Sequence, residues 1–126
     1  MMKRGENTQE NLILKTKTWI ETSQGEMLFG KGKIELLEFI EKSGSILQAA
    51  KLMGINYKKA WMHLQSLQQD TKEELVITKQ GRSKDSGTKL TPKAHSLMRN
   101  YKILCKDLES FANKRFEELF GAKAKD

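Results

Sequence analysis

A single cysteine, Cys105, stands in 126 residues, so no intrachain disulfide can form and a reducing compartment fits best. Only two histidines occur, His63 and His95, and neither sits in an HxxxH pair. No structural zinc site can be drawn from that inventory, and no metal is expected. Neither GxxxxGKS/T nor GxGxxG is present, which removes the phosphate loops that would announce a nucleotide cofactor. No stretch approaches the roughly 18 consecutive apolar residues of a spanning helix. Met1 to Glu10 carries basic residues without an apolar run behind them, unlike a secretory signal. Internal repeats and low-complexity tracts are also missing. A cytoplasmic protein that is not an enzyme and holds no cofactor is the expectation, with Cys105 an inert residue among apolar neighbours.

What the chain has is charge of one sign. Lysine and arginine exceed aspartate and glutamate by 23 to 16, a formal net charge of +7, with a pI near 9.5. A surplus of this size attracts polyanions, of which nucleic acid is the commonest in a cell, although an acidic membrane surface or an acidic protein would also answer. Hydrophobic residues make up 37% and charged residues 31%, enough for one modest core. The expected organisation is a flexible start (1–10), one domain (11–120) and a basic tail (121–126).

Asn11 to Ile20 alternates like an extended strand, Ser23-Gln24-Gly25 offers a turn, and Glu26 to Phe29 can return, giving an N-terminal β-hairpin. Ile34, Leu36, Leu37, Phe39 and Ile40 then mark one apolar helical face, ended by Gly44. Ser45 is placed to cap a short helix from Ile46 to Met53, and Asn56 a third from Tyr57 to about Gln69. Glu74 to Lys79 is β-rich, Gln80 to Gly87 is a polar turn region, and Lys89-Leu90 begins a return strand. Thr91-Pro92 opens a last helix, predicted to reach Phe120.

The informative stretch is SGSILQAAKLMGINYKKAWMHLQSL. Ala49 and Ala50 are small enough for two helices to cross closely, Gly54 tolerates the positive φ of a tight turn, and Ile55 can plug that turn. Ala60, Leu64 and Leu67 recur at helical spacing as a buried face, and Lys58, Lys59, Met62 and His63 fall opposite, with Tyr57 at the start. This is the plan of a helix-turn-helix recognition helix, whose first residues point at base edges and phosphates. An ordinary helical hairpin with a solvated polar face is the plainer alternative. Lys79, Arg82, Lys84 and Lys89 gather around the following hairpin, where a wing would lie along the phosphate backbone, with Asp85 the one acid among them. Trp61 falls between the two faces and is expected to be partly buried.

Lys33-Ile34, Ser43-Gly44-Ser45-Ile46, Ala49-Ala50, Gly54-Ile55-Asn56-Tyr57-Lys58-Lys59-Ala60-Trp61 and Leu90-Thr91 together resemble the N-terminal DNA-binding domain of the molybdate-responsive transcriptional regulators, the ModE family, itself related to LysR-type domains. The resemblance covers about residues 11–120. It implies a mainly α winged helix-turn-helix with a small N-terminal β-hairpin, dimerising through long C-terminal helices. Tyr57, Lys58 and Lys59 would begin the recognition helix. Full-length members add molybdate-binding domains. This chain ends where that region would begin, so molybdate binding is not expected of it. Its wing also has only Gly81 and Gly87, where the family's is often glycine-rich.

Ser45, Tyr57, Lys58, Lys59, His63, Lys79, Arg82 and Lys84 are therefore the expected contacts to double-stranded DNA. In the last helix Leu97, Tyr101, Leu104, Leu108 and Phe111 recur at four, three, four and three, a seam of two heptads suited to a homodimer. The competing expectation packs that stripe on the domain's own first helix and hairpin. Two functional rivals stand beside a sequence-specific regulator: a nucleoid-like protein binding DNA broadly, and a winged helix that binds a partner protein.

Overall fold

Residues 12–81 and 87–121 are described by the computed structural model. They form, in order, β1 (Ile20–Glu21), β2 (Met27–Phe29), α1 (Lys31–Ser43), α2 (Ile46–Met53), α3 (Tyr57–Thr71), β3 (Val76–Lys79), β4 (Gly87–Leu90) and α4 (Pro92–Phe120). β1 pairs with β2 and β3 with β4, each an antiparallel two-stranded sheet. Two compact units result. Thr18–Tyr101 is one; the described residues of Met1–Lys17 and Lys102–Asp126 are the other.

In the first unit the connections between α1, α2 and α3 are closed by residues the local sequence supplies. α1 buries Ile34, Leu36, Leu37 and Ile40. It stops at Gly44, whose φ of 71° lets its N–H return to the Ile40 carbonyl at 2.7 Å. Ser45 then caps α2, its hydroxyl accepting from the Gln48 N–H at 3.1 Å. Ala49 and Ala50 are fully buried, as the close crossing of α2 and α3 requires. Gly54, again at φ 71°, turns the chain, and Asn56 caps α3 by accepting from the Lys59 N–H at 2.7 Å. Each such N-cap is worth about 1 kcal/mol, and there is one in each of the two short connections that flank α2.

Ala60, Leu64 and Leu67 of α3 are buried together with Leu75. Truncating a leucine such as Leu64 to alanine typically costs about 2–5 kcal/mol at a site so fully enclosed. α3 ends on Lys72 in the left-handed conformation, φ 58°. The Gln68 side chain reaches past that end and accepts from the Leu75 and Val76 N–H groups at 2.8 and 3.2 Å, which locks the start of β3 to α3.

β3 and β4 pair in register from Val76 with Leu90 to Lys79 with Gly87. The loop-side half of this hairpin is tied to the turn between α1 and α2: the Thr88 N–H donates to the Gly44 carbonyl at 2.9 Å. Gly87 sits at φ +103°, and a Cβ there would stand 3.0 Å from the same carbonyl, so glycine is needed on both counts. Thr91 then starts α4. Its hydroxyl donates to the Glu74 carbonyl at 2.6 Å and accepts from the Ala94 N–H at 3.2 Å.

The N-terminal hairpin is shorter than its alternation predicts. Residues 12–19 form no strand, and pairing is confined to Ile20 with Phe29 and Glu21 with Met27, broken by a register shift. β2 offers only three residues, too few to ladder a ten-residue partner. The Thr18 carbonyl is instead taken by the Tyr101 hydroxyl at 2.7 Å. Side-chain capture replaces the ladder, and Leu12, Ile13 and Trp19 stay exposed.

In the second unit α4 presents Ile103, Leu104, Leu108, Phe111, Leu119 and Phe120 to solvent. Phe116 and Phe120 stack one turn apart, ring centroids 5.5 Å apart. No helix among the described residues is long and apolar enough to cross a membrane.

Candidate nucleic-acid interface

The charge along the helix pair is the first thing to set the site. From Gly44 to Gln69 there is no acidic residue, and Lys51, Lys58 and Lys59 are the only charged side chains. α1, just before, alternates Glu35, Glu38 and Glu41 with its lysines. Neither α2 nor α3 has an acid in its first turn, so the partial positive charge of each helix start is left uncompensated.

α3 then divides as its periodicity demands. Ala60, Leu64 and Leu67 go to the core, and Tyr57 (48% exposed), Trp61 (45%) and Met62 (54%) lie in solvent beside exposed Lys58 and Lys59. Trp61 is thus nearly half exposed, on the rim between the two faces. Asn56, Lys58, Lys59, Met62, His63 and Ser66 line an open depression of about 400 Å³ on this face. His63 is half-buried there. Burial first, then the positive charges of Lys33 and Lys59, lower its pKa below the ordinary 6.5 and favour the neutral imidazole.

The remaining expected contacts fall in three places. Ser45 is at the α2 N-cap, partly exposed, with its hydroxyl oxygen engaged as an acceptor. Lys79 is exposed at the end of β3, and Lys89 is exposed on β4 opposite Ile77. Arg82 and Lys84 lie outside the described residues.

Lys33 escaped the sequence reading as a member of this site. It opens α1, thirty positions before His63, and its ammonium donates to the Leu28 carbonyl of β2 at 3.0 Å. No local pattern joins the two residues; only the fold brings their charges within reach. Leu47 and Leu52 of α2 are also exposed, a feature the helical spacing alone did not single out.

Of the expected dimer seam, Leu97 is half-buried and Tyr101 is 8% exposed, packed edge-on against Phe29 with ring centroids 5.9 Å apart. Leu104, Leu108 (42% exposed) and Phe111 (66%) remain in solvent. The first part of the stripe therefore serves the domain's own core, and the later part does not.

Two capped helices crossing on alanines, followed by a β-hairpin tied to the turn before them and by a long helix, make a winged helix-turn-helix. The likeness to solved structures agrees: a chain from the crystal structure of a CbnR DBD–DNA complex superposes with a TM-score of 0.50 at 18% identity, covering 69% of this chain and 93% of that one. Among characterised sequences, the molybdenum transport protein ModE of Azotobacter vinelandii is 33% identical over 87 residues, 69% of this chain and 32% of that protein. The transcriptional regulator ModE of Haemophilus influenzae is 36% identical over 72 residues, 57% of this chain and 28% of that one. No protein-family model matches. The chain is similar to ModE proteins as its motifs imply, and it spans about a third of their length.

Proposed function

We propose that the chain is a sequence-specific DNA-binding module of a ModE-like transcriptional regulator, acting in the cytoplasm as a homodimer on a pseudo-palindromic operator. The observation that carries this reading is the acid-free helix pair, from which Tyr57, Lys58, Met62 and Trp61 stand out into solvent on a rigidly capped α3. Cationic ends beside apolar and aromatic surface match what a major groove offers, phosphates at its rims and base edges and thymine methyls on its floor. Tyr57, Lys58 and Lys59 enter the groove, Lys59 at its phosphate-lined rim. Ser45, Lys79, Arg82 and Lys84 hold phosphates, Ser45 as a hydroxyl donor. Leu104, Leu108 and Phe111 of α4 meet their counterparts in a second copy, and two recognition helices then sit about 34 Å apart, one turn of DNA.

Selection of bound fragments from random duplex DNA at about 150 mM salt tests the reading, because that salt screens loose electrostatic contacts. A pseudo-palindromic motif with half-sites one turn apart is the expected result. Retention of DNA with no motif would replace the regulator by a general DNA-coating protein, and no retention would leave the fold without its DNA. On the motif recovered, Lys58→Ala weakens specific binding more than non-specific binding, whereas Arg82→Ala weakens both and flattens the salt dependence.

A further inference from the structure

Lys59 and His63 of α3 line the α3 depression, and Lys33 of α1 is near enough for its charge to act on His63. Lys33 is held in place, its ammonium donating to the carbonyl of Leu28, the middle residue of β2. A lysine tethered in this way is a placed charge rather than a wandering one. The half-buried imidazole of His63 sits under the influence of both ammonium groups, and neutrality is its preferred state in the free protein.

We propose that Lys33, Lys59 and His63 together form a site for one DNA phosphate, and that occupancy of this site is coupled to uptake of a proton by His63. The inference rests on the DNA-binding reading and deepens it. A phosphodiester oxygen entering this cluster reverses the sign of the local field. With the anion in place, the two lysines no longer oppose a third positive charge, and a protonated imidazole gains a charge-assisted hydrogen bond. The remaining neighbours of α3 do not supply a competing titration. β2 carries no charged side chain; α1 carries Lys31, Glu35, Glu38, Glu41 and Lys42 besides Lys33, and α2 carries Lys51, none of which is among the charges that act on His63. Asp70, the one acid of α3, stands seven residues further along, two turns from His63. Affinity for duplex DNA therefore rises as pH falls through the neutral range, with one bound proton setting the limit at tenfold per pH unit.

The test uses the full chain and a 30-base-pair duplex of mixed sequence, followed by fluorescence anisotropy at constant ionic strength between pH 7.5 and 5.5. The expected result is a roughly fivefold gain in affinity toward the acidic end, lost in His63→Gln and reduced in Lys33→Gln. His95→Gln keeps the slope, since His95 pairs with Glu41 on another part of the domain. The His63 imidazole, followed by NMR in the free and DNA-bound chain, is expected to titrate at a higher pH once DNA is bound. In free Lys33→Gln the same midpoint moves up as well, a readout independent of DNA. Binding that is tight but equally pH-dependent in His63→Gln would overturn the coupling while leaving DNA binding intact. An imidazole midpoint that Lys33→Gln and DNA both leave in place would overturn the site. Absence of duplex binding at every pH would instead remove the DNA-binding reading on which the site depends.

Discussion

The α2–α3 pair and the second half of α4 both keep large apolar side chains in solvent, but they do so among different charges. Between Gly44 and Gln69 the apolar residues are interleaved with three lysines and no acid. Between Lys102 and Phe120 four basic residues are matched by four acids, Asp107, Glu109, Glu117 and Glu118. An uncompensated positive face with an exposed tryptophan, tyrosine and methionine suits a polyanion that also has apolar edges. A neutral helix with an exposed leucine and phenylalanine stripe suits another protein surface, because the flanking charges can pair across it instead of repelling. The exposed apolar stripe looks alike in both regions; the charge around it separates the proposed roles.

The largest effect expected from breaking that contrast is on DNA. Lys58→Glu places an acid in the acid-free face and removes a cation from it. Affinity for the selected operator should fall about 100-fold, within the range of losing one good contact and adding repulsion. Lys106→Glu makes the same chemical change in the charge-balanced helix and should leave operator affinity within about threefold. Fluorescence anisotropy on both variants decides the matter; comparable losses would mean that the charge contrast carries no meaning.

Next in size is the self-association of α4. Leu108→Glu sets a carboxylate in the exposed stripe and forfeits the burial of a leucine, about 2 kcal/mol and hence some 30-fold in dimer dissociation. Sedimentation equilibrium should show monomer at concentrations where the parent chain is dimeric, and melting temperatures compared at concentrations where both are monomers should agree, because Leu108 is exposed in the single chain. A parent chain that is monomeric at micromolar concentration would rule out the dimer outright.

Much of this contrast could be read in the sequence, because each part of it is local. Ser45, Gly54 and Asn56 punctuate the helices by their own chemistry, and the structure places their caps and turn where the spacing demands. Thr91-Pro92 opened the last helix for the same reason. What escaped is non-local. The alternation from Asn11 to Ile20 is real, yet a strand needs a partner, and β2 is too short to be one. Tyr101 has the spacing of a seam residue, but Thr18 and Phe29 come from the far end of the chain to bury it. The charge of Lys33 acts on His63 only because α1 packs against α3.

A smaller effect should come from the turn that joins the two helices. Gly54 has φ 71° and nothing within 4 Å of where a Cβ would stand, so Gly54→Ala meets backbone strain alone. The cost expected is about 1 kcal/mol, a drop of roughly 4–8 °C in melting temperature, measurable by circular dichroism. The same substitution tilts α3 on α2 little, so operator affinity should change less than stability. A large loss of affinity with an unchanged melting temperature would mean that Gly54 lies against the DNA backbone, and the division between scaffold and contact surface would have to be redrawn there.

The smallest effect concerns proton linkage in the absence of DNA. The folded-state pKa of His63 lies below its unfolded value of 6.5, with burial the first cause and the charges of Lys33 and Lys59 after it. Above 6.5 the imidazole is neutral in both states and contributes no pH dependence. As pH falls through 6.5 the unfolded chain takes up its proton first, so stability declines until the folded-state pKa is passed and then levels off. Denaturant melts at pH 7.5, 6.5 and 5.5 should show that decline in the parent chain and a shallower one in His63→Gln. Identical pH profiles for the two proteins would mean that the lysines flanking His63 are too well screened to act on it, and the α3 face would then hold DNA with its fixed charges alone.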